Sequence, residues 1–114
     1  MKKYNHFVNG KEMLPNNGEY FETENPYTCE KWAEIAKGNA HDVDVAVSVA
    51  KEAFENKWSK TKPTERGKLL VKLAELVERD AQKLGEIEVK DNGKLLAEMG
   101  CLLYTSPSPR DRPL

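Results

Sequence analysis

Residues 30–55 read EKWAEIAKGNAHDVDVAVSVAKEAFE, and the apolar period changes partway through them. Trp32, Ala33, Ile35 and Ala36 form a short apolar run bounded by Lys37-Gly38, as a strand would be. From Asn39 onward the spacing is helical. Val43, Val47, Ala50 and Phe54 recur at intervals of four, three and four, with Ala46 and Ala53 beside them. That pattern predicts a helix over about 40–55 with this stripe buried. Asn39 is a suitable N-cap, and Asp42 falls in the first turn, where the helix dipole favours negative charge. A strand leading straight into an amphipathic helix points to an α/β fold.

Upstream, HFVNGKEML places Asn9-Gly10 between Phe7-Val8 and Met13-Leu14. Both central residues of a type I′ turn need positive φ, so this step predicts a β-hairpin. A second turn is expected at Asn16-Asn17-Gly18, followed by a strand over Tyr20–Glu24 that Pro26 ends. Downstream, Pro63 suits the first turn of a second helix, with Leu69, Leu73 and Leu76 as its stripe. Glu75 and Arg79 stand four apart there, a favourable pairing distance. Asp80 can cap a third helix carrying Leu84, Ile87 and Val89, and Asn92-Gly93 is its stop. The expected architecture is therefore an N-terminal β-hairpin and short strands followed by three amphipathic helices.

The chain has 114 residues and a formal net charge of −1. That length gives one domain at most. The near-neutral balance argues against nucleic-acid binding. No apolar run approaches membrane length, and MKKYNHFVNG lacks the apolar core of a secretory signal. A cytoplasmic location is the expectation. Cys29 and Cys101 match no metal spacing. His6 and His41 read as surface polar residues at the start of a strand and of a helix.

Five short motifs occur in a fixed order. They are Asn9-Gly10, Asn25-Pro26-Tyr27-Thr28, Asp42-Val43-Asp44-Val45-Ala46-Val47, Arg66-Gly67-Lys68-Leu69-Leu70 and Asp91-Asn92-Gly93-Lys94. Each is weak alone. Together, over residues 7–98, they resemble the amino-terminal region of the aldehyde dehydrogenase superfamily. The resemblance covers nearly all of this chain but about the first fifth of a family member. It implies an incomplete part of a Rossmann-like cofactor domain over residues 1–99. It implies oxidation of an aldehyde to an acid by a full-length homo-oligomeric enzyme that uses NAD or NADP. A cysteine thiolate, a glutamate-activated water and an asparagine oxyanion donor carry that chemistry in the family. All are expected downstream of this region, so the segment by itself is expected to bind no cofactor and to turn nothing over. The rival reading is a stand-alone α/β interaction module without catalytic activity.

The resemblance also implies one site. Some family members hold a structural monovalent cation, and the matching ligands here are the Asp91 carboxylate and the carbonyls of Thr23 and Glu24. A hard cation takes oxygen ligands of this kind. Family members usually have glycine where Cys29 stands, so the loop is expected to lose a positive φ there. Residues 100–114 match no family motif. In one reading frame, Cys101 to Asp111 back-translate into a transposase-based sequencing adapter, and the segment reads as an artefactual, disordered tail.

Overall fold

The computed structural model describes residues 1–94. The expected tail over 100–114, and the adapter reading of it, lie outside the described residues. The order is β1 (Lys2–Tyr4), β2 (His6–Val8), β3 (Lys11–Met13), β4 (Tyr20–Glu24), β5 (Lys31–Ala36), α1 (Ala40–Asn56), a 3-10 turn (Trp58–Lys60), α2 (Pro63–Arg79) and α3 (Ala81–Asn92).

The hairpin forms as its turn dictates. Asn9 and Gly10 take φ values of 56° and 76°, and Val8 faces Lys11 across a two-residue loop. This hairpin is a separate two-stranded sheet. The larger sheet has the order β1-β5-β4. Strand β4 runs antiparallel to β5, with a bulge between Thr23 and Glu24. Strand β1 pairs in parallel with β5 through Lys2–Ala33, Lys3–Glu34 and Tyr4–Ile35. Sequence reasoning does not find β1. Its two lysines carry no alternation, and its partner is about thirty residues away.

Helix α1 begins where the cap predicts. The Asn39 carboxamide accepts the Asp42 N–H at 2.9 Å, and the Asp42 carboxylate accepts the Asn39 N–H at 3.2 Å. This reciprocal pair is a capping box with Asp in the usual Glu position. Pro63 opens α2, and Gly93, in the left-handed conformation, ends α3.

Two helix-surface expectations fail. Arg79 does not turn back to Glu75. Its guanidinium grips the adjacent Asp80 through Nε at 3.2 Å and Nη2 at 3.0 Å. A two-pronged carboxylate contact of this kind outcompetes a single exposed i,i+4 pair. Asp80 therefore sits at the N-cap position of α3 without a side-chain cap bond. The Arg79 hydrogen bond holds the Asp80 carboxyl below the ordinary range.

The expected buried stripes are also corrected. Val43, Val47, Phe54, Leu69 and Leu73 all stand more than half exposed. The half-buried side of α1 carries Val45, Ala46 and Val49 instead. An apolar stripe is buried only where a second surface meets it. The stripes of α1 and α2 stay exposed rather than packing on each other. Among the described residues, the buried apolar side chains are those of three alanines, Ala33, Ala36 and Ala81.

Cys29 corrects the loop expectation. Its φ is 59°, so the turn keeps the conformation a glycine would take. The Cys29 N–H donates to the Asn25 carbonyl at 2.8 Å, and the Asn25 N–H donates to Glu30 at 2.9 Å. These bonds over-determine the backbone there. Cys29→Gly removes the left-handed penalty and is expected to stabilise the fold by about 0.5–1 kcal/mol, measured by denaturant unfolding.

Candidate functional site

The Thr23–Glu24 bulge and the C-terminal end of α3 meet beyond the edge of the larger sheet. The Thr23 hydroxyl donates to Asp91 Oδ1 at 2.6 Å, across 68 positions of sequence. Glu24 ends β4, exposed, where it adds to the field of Glu22 on the Lys31 ammonium. Lys31 forms an ion pair with Glu22, and that hydrogen-bonded carboxylate raises its pKa.

The loop after β4 is shaped by its own residues. The Asn25 carboxamide accepts the Tyr27 N–H at 2.9 Å, an Asx turn ahead of Pro26. Pro26 then lies against Gly93. A Cβ placed on Gly93 would stand 3.3 Å from Pro26 Cβ. Gly93 therefore meets two demands, a φ of 73° and a close neighbour. Two motifs read separately in the sequence, Asn25-Pro26 and Asp91-Asn92-Gly93, make one corner of the structure.

Of the expected cation ligands, Thr23 and Asp91 come together and Glu24 is the next residue along the strand. Asp91 uses Oδ1 for Thr23. The Thr23 atom that meets Asp91 is the side-chain hydroxyl, not the carbonyl expected as a ligand. Among the described residues, no group of three or more His, Cys, Asp or Glu could hold a metal ion.

A second polar centre lies at the start of α1, and sequence reasoning does not assemble it. The Asp42 side chain is 6% exposed. Besides the Asn39 N–H it accepts the Asn16 N–H, at 3.1 Å to Oδ1 and 3.3 Å to Oδ2. His6 Nε2 stands 3.4 Å from Oδ2, buried and without a hydrogen bond. Burial pushes the Asp42 carboxyl up, but the Asn39 and Asn16 amides and His6 outweigh it and hold it below the ordinary carboxylate range. His6 is thus half-buried rather than a surface residue. The Asn-x-x-Asp spacing of residues 39–42 is the sequence signal for this centre.

The family model for the aldehyde dehydrogenase family matches residues 13–101. The chain belongs to the aldehyde dehydrogenase family. It is 39% identical over 106 residues to an aldehyde dehydrogenase of Aspergillus niger, covering 86% of this chain and 21% of that protein. It is 41% identical to one of Emericella nidulans, with 86% and 21% covered. The NAD+ complex of aldehyde dehydrogenase from Bacillus cereus superposes with a TM-score of 0.79 at 35% identity, over 87% of this chain and 20% of that one. This aldehyde dehydrogenase chain thus spans about a fifth of the length of the curated relatives it matches. Within its described residues, no helix is long and apolar enough to cross a membrane.

Proposed function

We propose that this chain is the N-terminal portion of an NAD- or NADP-dependent enzyme that oxidises an aldehyde to a carboxylic acid, and that the segment alone is inactive. The observation that carries this reading is the pair of exposed stripes on α1 and α2, in a family member covering a fifth of its relatives. Burying a Val, Leu or Phe side chain is worth about 1.5–3 kcal/mol. For half-exposed stripes of six such residues the unclaimed burial is on the order of 5–10 kcal/mol, comparable with the whole stability of a domain. In the intact enzyme the rest of the cofactor domain covers these faces. The chain's own residues then supply support rather than chemistry. The capping box fixes the start of α1, which carries one stripe, and the corner at Gly93 ends α3 behind the other.

The test has two arms. The full-length reading frame, purified as it is expressed, is expected to reduce NAD or NADP in the presence of an aldehyde. Residues 1–99 alone are expected to bind neither cofactor and to melt without a sharp transition. Micromolar NAD affinity in the segment would refute this reading. A sharp two-state melt of the segment would favour the stand-alone module. The homo-oligomeric state and cytoplasmic location of the full-length enzyme belong to the same proposal.

The corner at Asp91 is proposed to hold a monovalent cation, with the Asp91 carboxylate and the Thr23 and Glu24 carbonyls as ligands. Support comes from the approach of the Thr23 side chain to Asp91, which brings these two strand and helix positions together. Asp91→Asn keeps an acceptor for the Thr23 hydroxyl and removes the charge. Potassium is expected to raise the thermal midpoint of the full-length enzyme and to lose that effect in Asp91→Asn. An unchanged potassium response in the variant would sink the site. Residues 101–111 are proposed to be adapter-derived, within an artefactual tail over 100–114; the family match ends at residue 101, where the adapter reading begins. Amplification of the locus from unfragmented source DNA is expected to give a different sequence after Met99. Recovery of LLYTSPSPRD would end that idea.

A further inference from the structure

The chain carries three Asn-Gly steps among its described residues, Asn9-Gly10, Asn17-Gly18 and Asn92-Gly93. Each is open to the same spontaneous chemistry, because glycine leaves its amide nitrogen unshielded and asparagine is thermolabile. The backbone nitrogen of the glycine attacks Cγ of the preceding asparagine. The N–Cγ bond forms, the Cγ–NH2 bond breaks, and ammonia leaves with the proton given up by the glycine nitrogen. Water then opens the resulting succinimide ring to an aspartyl or isoaspartyl linkage. No oxidant, reductant or enzyme is required.

The structure separates the three steps. At Asn17-Gly18 the attacking nitrogen is engaged, since the Gly18 N–H donates to the Pro15 carbonyl at 3.0 Å. The Asn17 carboxamide is held as well, accepting the Glu19 N–H at 3.3 Å. At Asn92-Gly93 the Gly93 N–H donates to Val89 at 2.9 Å, and the Asn92 carboxamide accepts the Lys94 N–H at 2.9 Å. At the hairpin tip neither restraint exists. Among the described residues, neither the Gly10 nitrogen nor the Asn9 carboxamide makes a hydrogen bond, and both residues are exposed. The hairpin pairs only three residues on each strand. So short a two-stranded unit opens at little free-energy cost. Opening lets Asn9 leave its turn geometry and reach the geometry of attack.

We infer that Asn9 is a site of spontaneous deamidation, with water as the only co-reactant, and that the other two steps are protected by the fold. The product has a structural consequence. Asn9 lines an open groove with Val49, Glu52, Ala53 and Asn56 of α1. Hydrolysis to the aspartyl form puts a carboxylate across that groove from Glu52, a like-charge approach. The isoaspartyl form adds a methylene to the backbone of a two-residue turn. The His6–Met13 and Val8–Lys11 register then cannot be kept. Because His6 reaches Asp42 from this hairpin, the damage extends to the start of α1.

The experiment ages the full-length protein in mildly alkaline buffer and follows each Asn-Gly peptide by mass spectrometry, reading a gain of one dalton. A second sample aged in urea gives the rate of each step in the unfolded chain. For each site the native rate is divided by the unfolded rate. That quotient is expected to be about tenfold larger at Asn9 than at Asn17 or Asn92, the protection that one retained hydrogen bond gives. An Asn9 quotient equal to or below either of the others would overturn the inference.

Discussion

Asp42→Ala is expected to lower the midpoint of thermal inactivation of the full-length enzyme by roughly 5 °C or more. One carboxylate satisfies the Asn39 amide of the capping box and the Asn16 amide of the preceding loop. Alanine leaves both donors without this partner in a part-buried site, and an unmet donor there costs more than a lost surface bond. The same residue sets an acid limit. The folded state holds the Asp42 carboxyl below the ordinary range, whereas the unfolded chain titrates within it. Its stabilisation is therefore complete above the ordinary carboxylate range. It falls away as pH drops through that range towards the folded value. Asp42→Asn keeps one acceptor oxygen and cannot titrate, so it should flatten that acid limb. An acid limb equally steep in Asp42→Asn would show that other carboxylates set it.

Gly93→Ala is expected to destabilise the enzyme by about 2 kcal/mol, read from denaturant unfolding. The left-handed φ accounts for about 1–2 kcal/mol of that in a residue with a Cβ. The remainder is crowding against Pro26, which the new methyl would meet at 3.3 Å. Gly93→Asn separates the two contributions, because asparagine tolerates the left-handed region but still presents a Cβ. It should fall between glycine and alanine. A change of less than about 0.5 kcal/mol in Gly93→Ala, the scatter of ordinary surface substitutions, would sink the argument.

The local signals in the sequence were legible because they are short-range. Asn9-Gly10 dictates its own turn, Asn39 and Asp42 lie within one helical turn of each other, and Pro63 marks its helix start. The family emerged for the same reason, as an ordered set of such signals. Other features are properties of partners rather than of segments. Strand β1 exists through its pairing with β5, and nothing in Lys2–Tyr4 announces that. The Val43 and Leu73 stripes are apolar yet stand exposed here, because periodicity says which face is greasy and not what lies against it. The resemblance names Thr23 and Asp91 as ligands of one cation and does not foretell the hydroxyl bond between them. Residues 68 positions apart leave no periodic trace of their meeting. At Cys29 the residue type suggested a changed turn, yet the hydrogen bonds around it hold the backbone in place.

The pairing of β1 with β5 bears on how this protein can be handled. The strand Lys31–Ala36 is flanked by β4 on one side and by Lys2–Tyr4 on the other. Trimming the first four residues would uncover a row of backbone donors and acceptors beside the buried Ala33 and Ala36. A bare sheet margin of that kind recruits strands from neighbouring molecules. The two lysines that open the chain sit on the covering strand, where their charge and chain flexibility discourage further pairing. What looks like a dispensable leader is the hem of the sheet, and affinity tags should leave it intact.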